Sequence, residues 1–324
     1  MKKYILSFLL FISVFNAYSQ YKGNSNKARS YLAKVELTTD LSEKEALLTD
    51  AKGEVDAAIQ IEKNRSKADT WVVRGNVYAE IAKIFPQLDK DAIDKALESY
   101  DKIGTDVPTK NVEIIREANA GRQNLSVFFV NQAITALQGS NEPNYEQAYE
   151  SFLNSLRVNP QDTLGLLYGG FVAEQLSMFS EALGFYDKLM KMDVLNNKNS
   201  NTIYQNSINI YYTNCEEFNE CDSFENSIRL INDAKELFPE NNYYPSVEIN
   251  IAMRLNKVEE ARGKIDAQLE MDPENPNLHF NRAVLYYNLG LALTENNDFS
   301  ENQKLDTLDK AVSYTHLTLP TTPV

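Results

Sequence analysis

The segment Glu181-Ala182-Leu183-Gly184-Phe185-Tyr186-Asp187-Lys188-Leu189 sets a beat that decides the fold. A small residue, Ala182, is followed four positions on by the aromatic Tyr186 and three further by Leu189. A spacing of zero, four and seven puts all three side chains on one face of an α-helix. The beat returns at Ala96, Tyr100 and Ile103, at Ala148, Phe152 and Ser155, and at Ser227, Ile231 and Ala234. A looser copy is Ala261, Ile265 and Gln268. In these four sets a proline stands five residues after the third member, at Pro108, Pro160, Pro239 and Pro273. Proline removes an amide donor and clashes with the preceding turn, so the spacing predicts a helix that stops there.

Upstream of each such helix lies another with its own pattern. In Trp71-Val72-Val73-Arg74-Gly75-Asn76-Val77-Tyr78 a large aromatic is followed by Gly four later and Tyr three after that. Leu166, Gly170 and Ala173 repeat it, as do Tyr204, Ile208 and Tyr211, and His279, Ala283 and Tyr286. These paired helices resemble the tetratricopeptide repeat, a 34-residue unit with the pattern W-x2-L-G-x2-Y, then A-x3-F, then P. Segments 163–196 and 242–275 keep that register unbroken, whereas 82–94, 139–145, 214–223 and 294–302 carry extra residues between helices. Arg74 stands where an apolar residue is usual and Pro245 where the first aromatic is usual.

The expected fold is therefore all-α, an α-α superhelix (solenoid) of about seven tetratricopeptide-type hairpins. The repeats fall at about 25–64, 68–110, 118–161, 163–196, 201–241, 242–275 and a truncated 276–311, within an array at 20–311. Composition agrees. The chain has 324 residues with 43% hydrophobic content, enough for a buried core, and only 12 Gly and 10 Pro, which disfavours many tight β-turns. Its 32 basic against 46 acidic side chains give a net charge of −14 and no electrostatic footprint for nucleic acid.

The two ends read differently from the middle. Met1-Lys2-Lys3, the apolar run Tyr4–Phe15 and the small residues Ala17 and Ser19 have the order of a secretory signal peptide at 1–19. The run is too short for an unstrained membrane span. The expectation is an exported, periplasmic or secreted protein without stable membrane insertion once the leader is removed. At the other end, Val312-Ser313-Tyr314-Thr315-His316-Leu317-Thr318-Leu319-Pro320-Thr321-Thr322 breaks the helical period and contains no acidic residue. It resembles a translated sequencing-library adapter, so 312–324 is expected to be a non-native tail.

Signals for catalysis are sparse. None of H-E-x-x-H, G-x-S-x-G, G-x-x-x-x-G-K-[ST] or G-x-G-x-x-G occurs, and His279, at the large-residue position of its repeat, reads as packing. No catalytic residue, metal site or cofactor is expected. Cys215 and Cys221 bracket a five-residue loop, and in an exported chain such a pair is a disulfide candidate. The neighbouring Glu216, Glu217, Glu220, Asp222 and Glu225 lack the ligand spacing and glycine of an EF-hand, so a solvated loop is the expectation. Apolar residues in or beside the long loops, Phe85, Leu88, Phe218, Phe224 and Phe299, either meet a partner or fold back onto the array.

In tetratricopeptide arrays the first helices line a groove that accepts a peptide or extended segment. Carried over position by position, the resemblance points to Asn76, Phe171, Gln175, Asn209, Tyr212, Asn250, Arg254, Tyr287 and Asn288 as groove residues. The carboxylate clamp of one subfamily is not supported, because Val72, Gln205 and Ser246 occupy the positions of its Lys. The expected function is a non-catalytic scaffold or adaptor in the cell envelope that binds an unidentified protein or peptide. The alternative is a helical-repeat carbohydrate-binding or enzymatic envelope protein.

Overall fold

A computed structural model describes residues 21–139, 142–192, 196–295 and a few positions between 302 and 313. The expected leader at 1–19, Phe299 and the expected tail from 314 onward lie outside the described residues. Among the described residues thirteen main helices follow one another: α1 (Ser25–Leu37), α2 (Leu41–Gln60), α3 (Ala68–Ile84), α4 (Ala92–Asp101), α5 (Val112–Leu137), α6 (Tyr145–Val158), α7 (Thr163–Gln175), α8 (Phe179–Met192), α9 (Asn197–Thr213), α10 (Glu225–Leu237), α11 (Tyr243–Arg254), α12 (Val258–Met271) and α13 (Pro276–Glu295). Among the described residues there is no strand, only an isolated bridge between Ile103 and Val107. The all-α, hairpin-by-hairpin architecture expected from the sequence is the one observed. The chain divides within α8 into two compact units, Met1–Phe185 and Tyr186–Val324.

Local chemistry fixes where the helices begin. Asn24, Asp40, Asn111, Asn144, Asp162 and Asn196 each accept a backbone N–H of the first turn of α1, α2, α5, α6, α7 and α9. Such side chains satisfy donors that a helix start leaves without partners. Helices α6, α10 and α12 stop two residues before Pro160, Pro239 and Pro273, as a ring without an N–H requires. The two repeats of unbroken register share one turn between their helices. Ser177 at φ 58° and Asn256 at φ 54° are left-handed, and Met178 N–H and Lys257 N–H donate to the Ala173 and Ala252 carbonyls at 2.8 and 2.9 Å.

The beat of the second helices is the core. Ala182, Tyr186 and Leu189 are buried, as are Ala148, Phe152 and Ser155, and Ser227, Ile231 and Ala234. In α12 the third place passes from half-buried Gln268 to buried Leu269. One set needs correction. Ala96 and Tyr100 lie on α4, but the helix ends at Asp101 and Ile103 belongs to the turn that follows. Val107 N–H closes this turn on the Lys102 carbonyl at 2.8 Å, and Gly104 at φ 86° takes a conformation costly to residues with a Cβ.

The two departures from the repeat pattern also have physical accounts. Arg74 is buried, yet its Nη1 donates to Ser99 Oγ at 2.7 Å and to the Lys95 carbonyl at 3.2 Å, while its guanidinium lies 4.8 Å from the centre of the Tyr78 ring. Asp56 and Glu98 at 3.5 and 3.3 Å meet its charge, which makes the buried cation tolerable although Nε has no hydrogen-bond partner among the described residues. Pro245 sits in the first turn of α11, where a missing N–H breaks no helical bond, and Tyr244 beside it supplies the fully buried ring. The loop residues fold back. Phe85 and Phe224 are buried, Leu88 packs on the core of the first unit, and the Phe218 ring meets Tyr211 edge-on at 4.9 Å.

Candidate functional site

In the first unit, α1 packs on α3 and α3 on α5, so the first helices of three successive hairpins stand side by side. Between them lies a pocket of about 320 Å³. Leu32 of α1, Ala79 of α3, and Ala120 and Gly121 of α5 give it apolar walls; Glu36, Glu80, Lys83 and Asn124 form its polar part. Its base is a single hydrogen-bonded chain. Tyr100 Oη donates to Asn76 Oδ1 at 2.9 Å, Asn76 Nδ2 donates to Glu117 Oε1 at 2.8 Å, and Arg29 Nη1 donates to that same oxygen at 2.7 Å. The other arm of Arg29, Nη2, reaches Asp69 at 2.9 Å.

Tyr100 belongs to a second helix, α4, and reaches this base because two glycines let it pass. A Cβ on Gly75 would strike the Tyr100 ring, and a Cβ on Gly121 would strike its hydroxyl. Both glycines therefore leave room for a close approach that no larger residue allows. Burial raises the Tyr100 pKa, and Glu80 and Glu117 raise it further against a smaller opposing effect of Arg122. The hydroxyl thus remains a donor across the physiological range. Burial works against the charge of Arg29, but Glu117 and Asp69 outweigh it and keep the guanidinium protonated.

In the second unit a different cluster forms. Arg254, at the end of α11, donates through Nη1 to the Tyr212 carbonyl at 2.9 Å, and its guanidinium lies over the rings of Tyr212 and Phe224 at 4.9 and 4.8 Å. Nη2 stands 3.4 Å from Cys215 Sγ. Cys215 and Cys221 are joined as a disulfide with their Cα atoms 4.8 Å apart. Three residues beyond the bridge, Phe224 is fully buried at φ 52°. Glu220 is buried too, and its carboxylate accepts the Asn226 N–H at 3.2 Å at the start of α10. The remaining acidic residues of this loop are exposed, and no metal-holding group of three or more His, Cys, Asp or Glu occurs among the described residues. His279 Nε2 donates to the Pro273 carbonyl at 2.8 Å, a structural role.

The structure thus brings Tyr212 and Arg254 together and places Asn76 in a pocket. Phe171, Gln175, Asn209, Tyr287 and Asn288 are exposed on α7, α9 and α13, and Asn250 is half-buried on α11. Val72, one of the three positions weighed for a clamp, is fully buried. Arg29, Glu36 and Glu117 were not expected at the site, because their neighbours are distant in sequence. Glu80 was within reach of the pattern: it follows Asn76 by the same four residues that separate Gln175 from Phe171 and Arg254 from Asn250. Among the described residues no helix is long and apolar enough to cross a membrane.

No protein-family model matches the chain. A 49-residue stretch, 15% of the chain, is 45% identical to TPR repeat-containing protein MJ1428 of Methanocaldococcus jannaschii and spans 9% of that protein's length. Among solved structures, a tetratricopeptide repeat protein from Parabacteroides merdae aligns over 89% of this chain and 99% of its own at 15% identity and a TM-score of 0.30. Yeast Tom70 aligns over 89% of this chain and 72% of its own at 15% identity and a TM-score of 0.32. The P58(IPK) TPR domain aligns over 90% and 99% at 15% identity and 0.23. Scores this low carry nothing about shape or partners.

Proposed function

We propose that this chain is a tetratricopeptide-repeat protein acting as a non-catalytic scaffold that holds a peptide or extended segment of another protein in the cell envelope. The observation that carries the reading is the pocket between α1, α3 and α5. Three successive first helices contribute to it, and it offers hydrogen-bonding groups beside small apolar walls. An extended backbone needs such donors and acceptors once it leaves water. Exposed Phe171 and Tyr287 on later first helices add aromatic contact area of the kind that anchors interfaces. The leader-like start supports an envelope location, and so does the Cys215–Cys221 pair, since disulfides persist in oxidising compartments.

A peptide array probed with the purified protein tests the scaffold reading. The comparison is a variant carrying Ala120→Trp and Asn124→Ala together, at exposed positions of α5 that line the pocket. Wild type should retain a defined set of peptides that the variant loses. Equal retention by both proteins would overturn the groove, and thermal stabilisation by members of a glycan panel with no peptide retained would replace it with carbohydrate binding.

A further inference from the structure

The pocket of the first unit holds charges that do not cancel. Its two cations are already engaged: Arg29 by Asp69 and Glu117, and Lys83 by Glu80 at 2.7 Å. Its carboxylates are less so. Among the described residues, Glu36 is exposed at the pocket without an ion-pair partner, and Glu80 pairs with Lys83 alone. The negative field from Glu80 and Glu117 reaches the base of the pocket, where both carboxylates oppose ionisation of Tyr100.

We propose that this pocket receives a lysine or arginine side chain of the bound peptide, with its methylene stem against Leu32, Ala79 and Ala120 and its charged head between Glu36 and Glu80. Three observations support this choice of ligand. At about 320 Å³ the space is at the lower limit for binding pockets, which suits one long side chain. Apolar walls below a charged rim match an amphipathic side chain that buries its stem and keeps its head near water. A carboxylate ligand, by contrast, would find both cations occupied and would meet Glu36 and Glu80 with like charge.

The inference rests on the peptide-scaffold reading, and the test separates the two. Four libraries of acetylated nonapeptides share randomised flanks and carry lysine, arginine, norleucine or glutamate at the centre. Binding to the full chain is measured by fluorescence anisotropy at 50 and 300 mM salt. The lysine and arginine libraries should bind at least tenfold tighter than the norleucine library at low salt, and the advantage should shrink at high salt. It should disappear in the Glu36→Gln/Glu80→Gln double variant, whose fold is checked by circular dichroism. Equal binding of all libraries, or a preference for glutamate, would overturn the cation pocket while leaving the scaffold reading intact. Persistence of the cation preference in the double variant would place the cation elsewhere and also overturn it. Absence of binding by every library would overturn both readings.

Discussion

The guanidinium of Arg254 lies 4.9 Å from the centre of the Tyr212 ring while its Nη1 donates to the Tyr212 carbonyl at 2.9 Å. One side chain at the end of α11 thus holds the end of α9 through both backbone and ring, 42 residues away. Cation–π contacts at accessible sites contribute about 0.5–1 kcal/mol, and a hydrogen bond from a charged donor adds to that. Arg254→Ala should therefore lower stability by about 1–2 kcal/mol in urea titrations followed by far-UV circular dichroism. Arg254→Lys should recover less than half, because an ammonium cannot reach the carbonyl and lie flat on two rings together. Full recovery by lysine would show that charge alone matters.

Reduction of Cys215–Cys221 should loosen the same corner. Closing a loop this short limits the unfolded chain and is worth about 2 kcal/mol on the chain-entropy estimate. Three residues beyond the bridge stands Phe224, whose left-handed backbone is held by a fully buried ring. Dithiothreitol, or the Cys215→Ser/Cys221→Ser variant, should lower the urea midpoint of the second unit. The fluorescence of Trp71, the one tryptophan and a residue of the first unit, provides an internal comparison. An unchanged midpoint in reduced protein would remove the loop from the stability of this unit.

Gly75 and Tyr100 should be energetically coupled. A methyl group on Gly75 meets the Tyr100 ring, so Gly75→Ala should cost about 1–3 kcal/mol by overpacking, more than its gain in helix propensity returns. In a Tyr100→Leu background the same change should cost far less. A double-mutant cycle measures the difference. Additive effects would mean that the ring has room to move aside.

Acid should destabilise the fold through identifiable carboxylates. Burial alone would raise the pKa values of Glu54, Asp89 and Glu248. Lys27 and the Asn24 amide at Glu54, Lys95 and the Asp91 amide at Asp89, and Lys264 and Lys235 at Glu248 outweigh it and hold all three low. A group with a depressed folded-state pKa contributes stability above its unfolded value and loses it as pH falls through the folded one. Stability should thus decline below the ordinary values of 4.5 for Glu and 3.8 for Asp. Glu54→Gln should be less stable than wild type at pH 7 and should lose less between pH 5 and 3 in urea titrations. An identical pH slope would exclude Glu54 from this loss.

The sequence alone determined the helices and the faces they bury. A four-then-three spacing is a property of one helix turn and needs no knowledge of neighbours, so Ala148, Phe152 and Ser155 could be assigned to the core from their order in the chain. Stop prolines act within a few residues and were equally legible. What Arg29 meets was not legible: Glu117 lies 88 positions away, and the pair forms only because α1, α3 and α5 stand side by side. The pocket base depends likewise on Tyr100 passing two glycines from different helices, and Arg254 on a loop that a disulfide and a left-handed phenylalanine place beneath it. Helix formation is read from local periodicity, whereas these contacts depend on the distance and rotation between helices, which side-chain size at the packed face sets only after the chain has folded.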